Sequence, residues 1–140
     1  MKQVMLDTDI LSYITGDRYP KVTATAKQYF RVFRYFSVSS ITVCEAVQGF
    51  ANTRDVAGVA AFLKLAEGLE ILALGADDAI LAAQIFAELK LAGKKIGPMD
   101  PFNAAISIVN KRPLVTNNVK HYQRIRDLGF PLELENWRHQ

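Results

Sequence analysis

Apolar residues follow two rhythms along this chain: short unbroken runs, and longer stretches in which they recur at helical spacing. Val4-Met5-Leu6 is a run suited to a buried strand, and a helix starts over Ile10 to Ile14. Pro20 suits the first turn of a helix reaching about Phe33, because a proline there loses no hydrogen bond. Phe36 to Ser39 predicts a second strand, and Ile41 to Ala51 and Val56 to Leu65 predict two helices broken near Asn52-Thr53. Leu69 to Leu74 reads as a third strand, and Asp77 to Leu91 as a long helix that Gly93 ends. Pro101 to Val109 is helical again, Leu114-Val115 a strand, Val119 to Arg126 a helix, and Leu132 to Leu134 a last strand. Short apolar strands alternating with helices predict an α/β sandwich around a largely parallel sheet. No repeat, low-complexity block or Gly/Ser-rich linker interrupts the pattern, so residues 1–140 read as one domain.

Three segments end in an acid in the same way: VMLD at Asp7, SSITVCE at Glu45 and IGPMD at Asp100. In each, an apolar or turn-forming lead-in delivers a carboxylate to the start of a helix. Folds of this kind bind ligands outside the carboxyl ends of the strands, where Asp7, Glu45 and Asn118 are expected together. Asp100 has no strand before it and depends on the Gly97-Pro98 turn to reach the same edge.

Capping explains each acid singly. Asp7 or Asp9 could cap the first helix, Thr42 and Glu45 fit a capping box, and Asp100-Pro101 and Asn118 have the form of helix starts. Gathering the acids is a different matter, because carboxylates brought together repel unless a cation joins them. Hard oxygen donors on one side of an ion suit Mg²⁺ or Mn²⁺, which keep waters and substrate phosphates on their other faces. Such a centre serves phosphodiester hydrolysis.

Composition narrows the rest. Lys and Arg number 17 against 14 Asp and Glu, a net charge of only +3. The excess lies in Lys94-Lys95, Lys111-Arg112 and Lys120 to Arg126, either a solvated basic face or an approach for a phosphate-rich substrate. The single Cys44 allows no internal disulfide, and with two histidines it leaves too few ligands for a zinc site. No apolar stretch is long enough to span a membrane, and a reducing cytoplasm is the expected setting. His139 lies in the tail and His121 has no nucleophile beside it, so no catalytic triad is indicated. Phosphate-binding GxxxxGK[ST] and GxGxxG loops are absent.

At these residues the chain resembles the PIN-domain ribonucleases, and among them the VapC-type toxins of bacterial toxin–antitoxin pairs. MLDTDILSYI is similar to the family's opening strand and first acid, and SSITVCEAVQG to its Ser-x-x-x-x-Glu segment, with Ser40, Thr42, Glu45 and Gly49 matching. AELKLAGKKIGPMDPFNAAIS resembles the helix, glycine turn and third acid. LVTNNVKHYQRI and LELENW resemble the closing signature, with Thr116-Asn117-Asn118 and Trp137. The resemblance implies a PIN-like three-layer α/β/α sandwich and a metal-dependent endoribonuclease acting on a structured RNA such as tRNA. Asp7 and Asp100 would hold Mg²⁺ or Mn²⁺, with Glu45 completing the acidic cluster and Thr8 and Ser40 hydrogen-bonding around it. Asn118 stands where many members carry a fourth acid, and Asp9 where asparagine is frequent. Lys94, Lys95, Lys120, Arg124 and Arg126 would line the RNA approach. A small VapB-like antitoxin and a second copy in a homodimer are the implied partners, and the aromatic helix Tyr29-Phe30-Phe33 is core or a surface for them.

Two other readings remain open on the sequence. A PIN-like module could bind RNA or protein without cutting, which the neutral Asn118 allows. Asp7-Thr8-Asp9 after an apolar strand also resembles the opening of haloacid-dehalogenase phosphatases, with Asp77-Asp78 as a later acidic pair.

Overall fold

In a computed structural model, which describes residues 1–139, twelve elements alternate much as the apolar rhythm predicts. They run β1 (Met5–Leu6), α1 (Thr8–Thr15), α2 (Pro20–Phe33), β2 (Phe36–Ser39), α3 (Ser40–Asn52) and α4 (Val56–Ala66). The second half contributes β3 (Leu69–Leu72), α5 (Ala76–Leu91), α6 (Asp100–Val109), β4 (Leu114–Val115), α7 (Val119–Asp127) and β5 (Leu134–Glu135). The strands form one sheet in the order β3-β2-β1-β4-β5, every pair parallel. β1 is central, with Met5 and Leu6 opposite Ser37 and Val38 on one side and Leu114 and Val115 on the other.

A strand covered on both faces must be apolar on both, which is why its sequence shows an unbroken run. Val4, Leu6, Val38 and Val115 pack with α1, α2 and α4 around Tyr29, Phe62 and Trp137. Met5 and Leu114 point the other way, into a second core built from Ala82, Ile85, Ala104, Ile106, Tyr122 and Ile125. The result is three layers, α/β/α. No helix among the described residues is long and apolar enough to cross a membrane.

Several local expectations are corrected. The last strand begins at Leu134, because Leu132 is buried in the second core by a turn and makes no ladder pair. β3 stops at Leu72, since the Leu74 N–H leaves the sheet to donate to Ser40 Oγ. Ser40 is therefore a loop tie and makes no hydrogen bond to the acids. Thr42 is not the cap of α3: Ser39 is, accepting from the Thr42 N–H at 3.0 Å, which leaves Glu45 free for another partner. Asp100 is not a cap either but stands inside the first turn after Met99, and Asn118 holds the cap position without a side-chain bond. In the aromatic helix Tyr29 is fully buried, while Phe30 is exposed at the surface.

Candidate active site

The carboxyl ends of β1, β2 and β4 deliver Asp7, Ser39 and Thr116 to one edge of the sheet. Asp7 follows its strand directly and caps α1, accepting from the Thr8 N–H at 2.9 Å. Its other oxygen accepts from the Thr116 hydroxyl at 2.8 Å. Asn103, buried on α6, donates to Asp7 Oδ1 at 3.4 Å and accepts from the Ser39 hydroxyl. Three donors thus hold one buried carboxylate in a single orientation.

Glu45 sits on α3, a turn and a half from its start, with Oε1 accepting from the Thr8 hydroxyl at 3.0 Å. Thr8 therefore donates to both acids, its N–H to Asp7 and its hydroxyl to Glu45. Asp100 arrives by the turn predicted for it: Oδ2 accepts from the Gly97 N–H at 3.0 Å and Oδ1 from the Tyr122 hydroxyl at 3.2 Å. His121 Nδ1 lies 3.8 Å from Asp100 Oδ2. A Cβ on Gly97 would meet Asp100 Oδ2 at 2.7 Å, so only glycine lets this loop cradle the carboxylate. Gly97→Ala should push the acid aside rather than unfold the chain. We expect catalysis at this site to fall about tenfold or more, a cost of roughly 1.4 kcal/mol in the barrier, with the melting temperature lowered by only a few degrees. Unchanged activity in this variant would show that the cradle does not matter.

Asp9 completes the group. Its Oδ2 accepts from the Asn117 N–H at 2.9 Å, tying α1 to the β4–α7 loop, while its Oδ1 is buried without any hydrogen-bond partner. Asn118 next in that loop is exposed.

The charges feel one another. Burial, then the charge of Asp9, pushes the Asp7 carboxyl up to about 7 against the donors Thr116 and Thr8, and Asp100 adds to the rise. Glu45 is raised by burial and by the charges of Asp100 and Asp9, with the Thr8 hydroxyl opposing. Asp9 is raised by burial and by Asp100, against the Asn117 N–H. Among the described residues no Lys or Arg pairs with any of the four, and no three acids, histidines or cysteines stand close enough together to hold a metal ion by themselves. The donor set is nevertheless all oxygen, anionic and uncompensated, with one buried oxygen lacking a partner. Those are the properties a hard divalent cation would satisfy.

Asn103 and Tyr122 escape the sequence reading, which also sets His121 aside for want of a nucleophile and does not place it beside Asp100. Asn103 follows Asp100 by three helical positions, which places the two on one face of α6, and that spacing is the signal that could have found it. Among the described residues Asp77 and Asp78 make no hydrogen bond to the four acids, and Asp78 is consumed in capping α5 by accepting from the Gly75 N–H at 2.7 Å. The phosphatase reading loses its second acidic pair.

Comparison with known proteins gives the same picture. The PIN domain profile matches residues 4–127. Ribonuclease VapC2 of Haemophilus influenzae is 32% identical over 141 aligned positions, covering 98% of this chain and 99% of the relative. The tRNA(fMet)-specific endonuclease VapC of Salmonella typhimurium is 33% identical over 104 positions, covering 71% of this chain and 74% of its own length. Among solved structures, DNA-bound VapBC from Salmonella typhimurium superposes with a TM-score of 0.79 at 26% identity, over 98% of this chain and 99% of that one. With an acid-lined sheet edge, a profile match over most of its length and relatives of this likeness, the chain belongs to the PIN-domain family, among its VapC ribonucleases.

Proposed function

We propose that this chain is a Mg²⁺- or Mn²⁺-dependent endoribonuclease that cuts a structured RNA such as tRNA. The observation that carries the reading is the buried Asp7 carboxylate, fixed by three donors and within electrostatic reach of two other acids, Asp9 and Asp100, with no Lys or Arg among the described residues paired to any of them. Asp7, Asp100 and Glu45 would hold the ion, with the unpartnered oxygen of Asp9 as a further donor. When bound, such an ion supplies an activated water and neutralises the charge that develops at phosphorus. The protein's part is orientation. Thr116, Thr8 and Asn103 fix Asp7, Gly97 and Tyr122 fix Asp100, and Thr8 holds Glu45 by one oxygen only. Asn118, exposed and free of a capping bond, offers its amide to the substrate. The name of the Salmonella relative supports tRNA as the substrate class.

The partners follow the same line. A groove of about 570 Å³ lies between α1, α3 and α4, with Glu45 and Thr8 at one side and Leu11, Ala46, Phe50 and Phe62 along it. An antitoxin segment filling this groove and presenting an arginine to Asp7 and Asp100 would silence the site by replacing the cation. Solved neighbours that are VapBC complexes support such a partner. Phe30 and Val32, exposed on α2, leave apolar surface for a second copy in a homodimer.

The experiment is cleavage of total RNA by the purified chain with Mn²⁺, with EDTA, and with the protein encoded beside it. Cutting should require the cation and disappear with EDTA or the neighbouring protein. A chain that is harmless when expressed alone and inert on RNA with Mn²⁺ is instead the non-catalytic binding module.

A further inference from the structure

The loop that carries Asp100 has a second face. Behind Gly97 lies a groove of about 350 Å³ between the end of α5 and the start of α6, lined by Phe86, Leu89, Ile96, Pro98 and Pro101. Its lining is mostly apolar, and Lys90, Lys94 and Lys95 rim it. Among the described residues none of these three lysines pairs with an acid. Phe86 is more than a third exposed, an unusual place for a large ring, and Phe102 holds it edge-on at 5.2 Å between centroids. Phe102 lies two residues beyond Asp100 on the same helix. The loop itself is pinned. Gly93 ends α5 at φ +65°, Lys94 N–H returns to Leu89 O, and Arg124 Nη1 donates to Lys95 O.

We propose that this groove is a nucleotide subsite: it takes one unpaired nucleotide of the RNA strand next to the cleaved phosphate, the base against Phe86 and Pro98 and its phosphates toward Lys90, Lys94 and Lys95. This rests on the ribonuclease reading above and adds where the strand runs. Three arguments select RNA as the occupant. An apolar floor with a cationic rim matches the two halves of a nucleotide, a stacking base and a charged backbone. The volume lies at the low end of small-ligand pockets, enough for a single base and sugar. The groove also shares Gly97 with the Asp100 cradle, so it adjoins the acids directly.

The test uses the whole chain and a fluorescein-labelled single-stranded RNA of roughly a dozen nucleotides, bound in EDTA so that nothing is cut. Phe86→Ala and Phe86→Leu should each weaken binding at least fivefold with the salt dependence unchanged, since they remove stacking and no charge. Lys90→Gln combined with Lys94→Gln should lower the slope of log Kd against log salt by about 1.4, since each contact to a single strand contributes about 0.7. In cleavage assays with Mn²⁺ the phenylalanine variants should raise KM more than they lower kcat. Phe86→Leu keeps the apolar contact with Phe102, so a fold defect confined to the alanine variant leaves the proposal testable. Parental RNA affinity in both phenylalanine variants overturns it, as does loss of antitoxin binding with RNA binding intact, which would give the groove to a protein. Should the parent neither bind nor cut RNA, the ribonuclease reading fails first; a parent that cuts and variants that match it refute only the subsite.

Discussion

Asp7→Asn and Asp100→Asn should each lower RNA cleavage by about a thousandfold while the chain remains folded. An ion held by protein carboxylates contributes several kcal/mol to the transition state, and each 1.4 kcal/mol is a factor of ten in rate. Replacing one carboxylate by an amide removes a charge that would bind the ion under the proposed function but nearly preserves volume. The local hydrogen bonds tolerate the change. At position 7 an amide oxygen can still accept from the Thr8 N–H, and the Thr116 hydroxyl can turn to accept from the amide nitrogen. At position 100 the amide oxygen can keep either the Gly97 N–H or the Tyr122 hydroxyl. Initial rates on a labelled RNA with Mn²⁺, beside thermal melts without metal, separate the two effects. Cleavage within about threefold of the parent in both variants would remove Asp7 and Asp100 from the centre, for such a loss is far below one tenfold step.

The metal-free chain should lose stability as pH rises from about 4 to about 7. Asp7 is the cause, since its carboxyl moves from an ordinary 3.8 to about 7 on burial beside Asp9. The sign follows from proton counting. Between those values the folded state keeps a proton on Asp7 that the unfolded chain has released, so raising pH favours unfolding. Below 3.8 both states are protonated and the dependence ends; above 7 the full penalty, on the order of a few kcal/mol, is in place. Asp9 and Glu45 are displaced in the same direction and add to it. Asp7→Asn should flatten the profile and raise the melting temperature at pH 7. Saturating Mg²⁺ should do the same for the parent, because a ligand that binds only the folded state stabilises it. Melts in EDTA across that range check this, and a profile that rises with pH would mean that Asp7 is charged at little cost in the folded chain.

How far the sequence alone carries can be judged from particular residues. The strands around Met5, Val38 and Leu114 were legible because a centre buried on both faces demands consecutive apolar residues, and helices flanking them keep their own period. The Gly97-Pro98 turn was legible as the carrier of Asp100, whereas the glycine's close approach to the carboxylate became visible only in three dimensions. Caps were read less well. Ser39 and Thr42 both have the side chain for the task, and only the path of the backbone out of β2 decides that Ser39 performs it.

Asp7, Glu45 and Asp100 could be named as acids at helix starts, yet their being parts of one charged group is a property of three dimensions. Asp7 and Glu45 meet through Thr8 because parallel β1 and β2 bring α1 and α3 side by side. Asn103 reaches Asp7 across 96 positions of sequence, and Asp9 holds the Asn117 N–H across 108. Such contacts leave no periodic trace, for they depend on the sheet order β3-β2-β1-β4-β5 rather than on neighbours along the chain. Local periodicity and turn chemistry are short-range, so the sequence by itself determined the elements and the candidate acids. Which carboxylates share a field, which oxygen is left without a donor, and which aromatic ring faces solvent are long-range matters that packing alone decided.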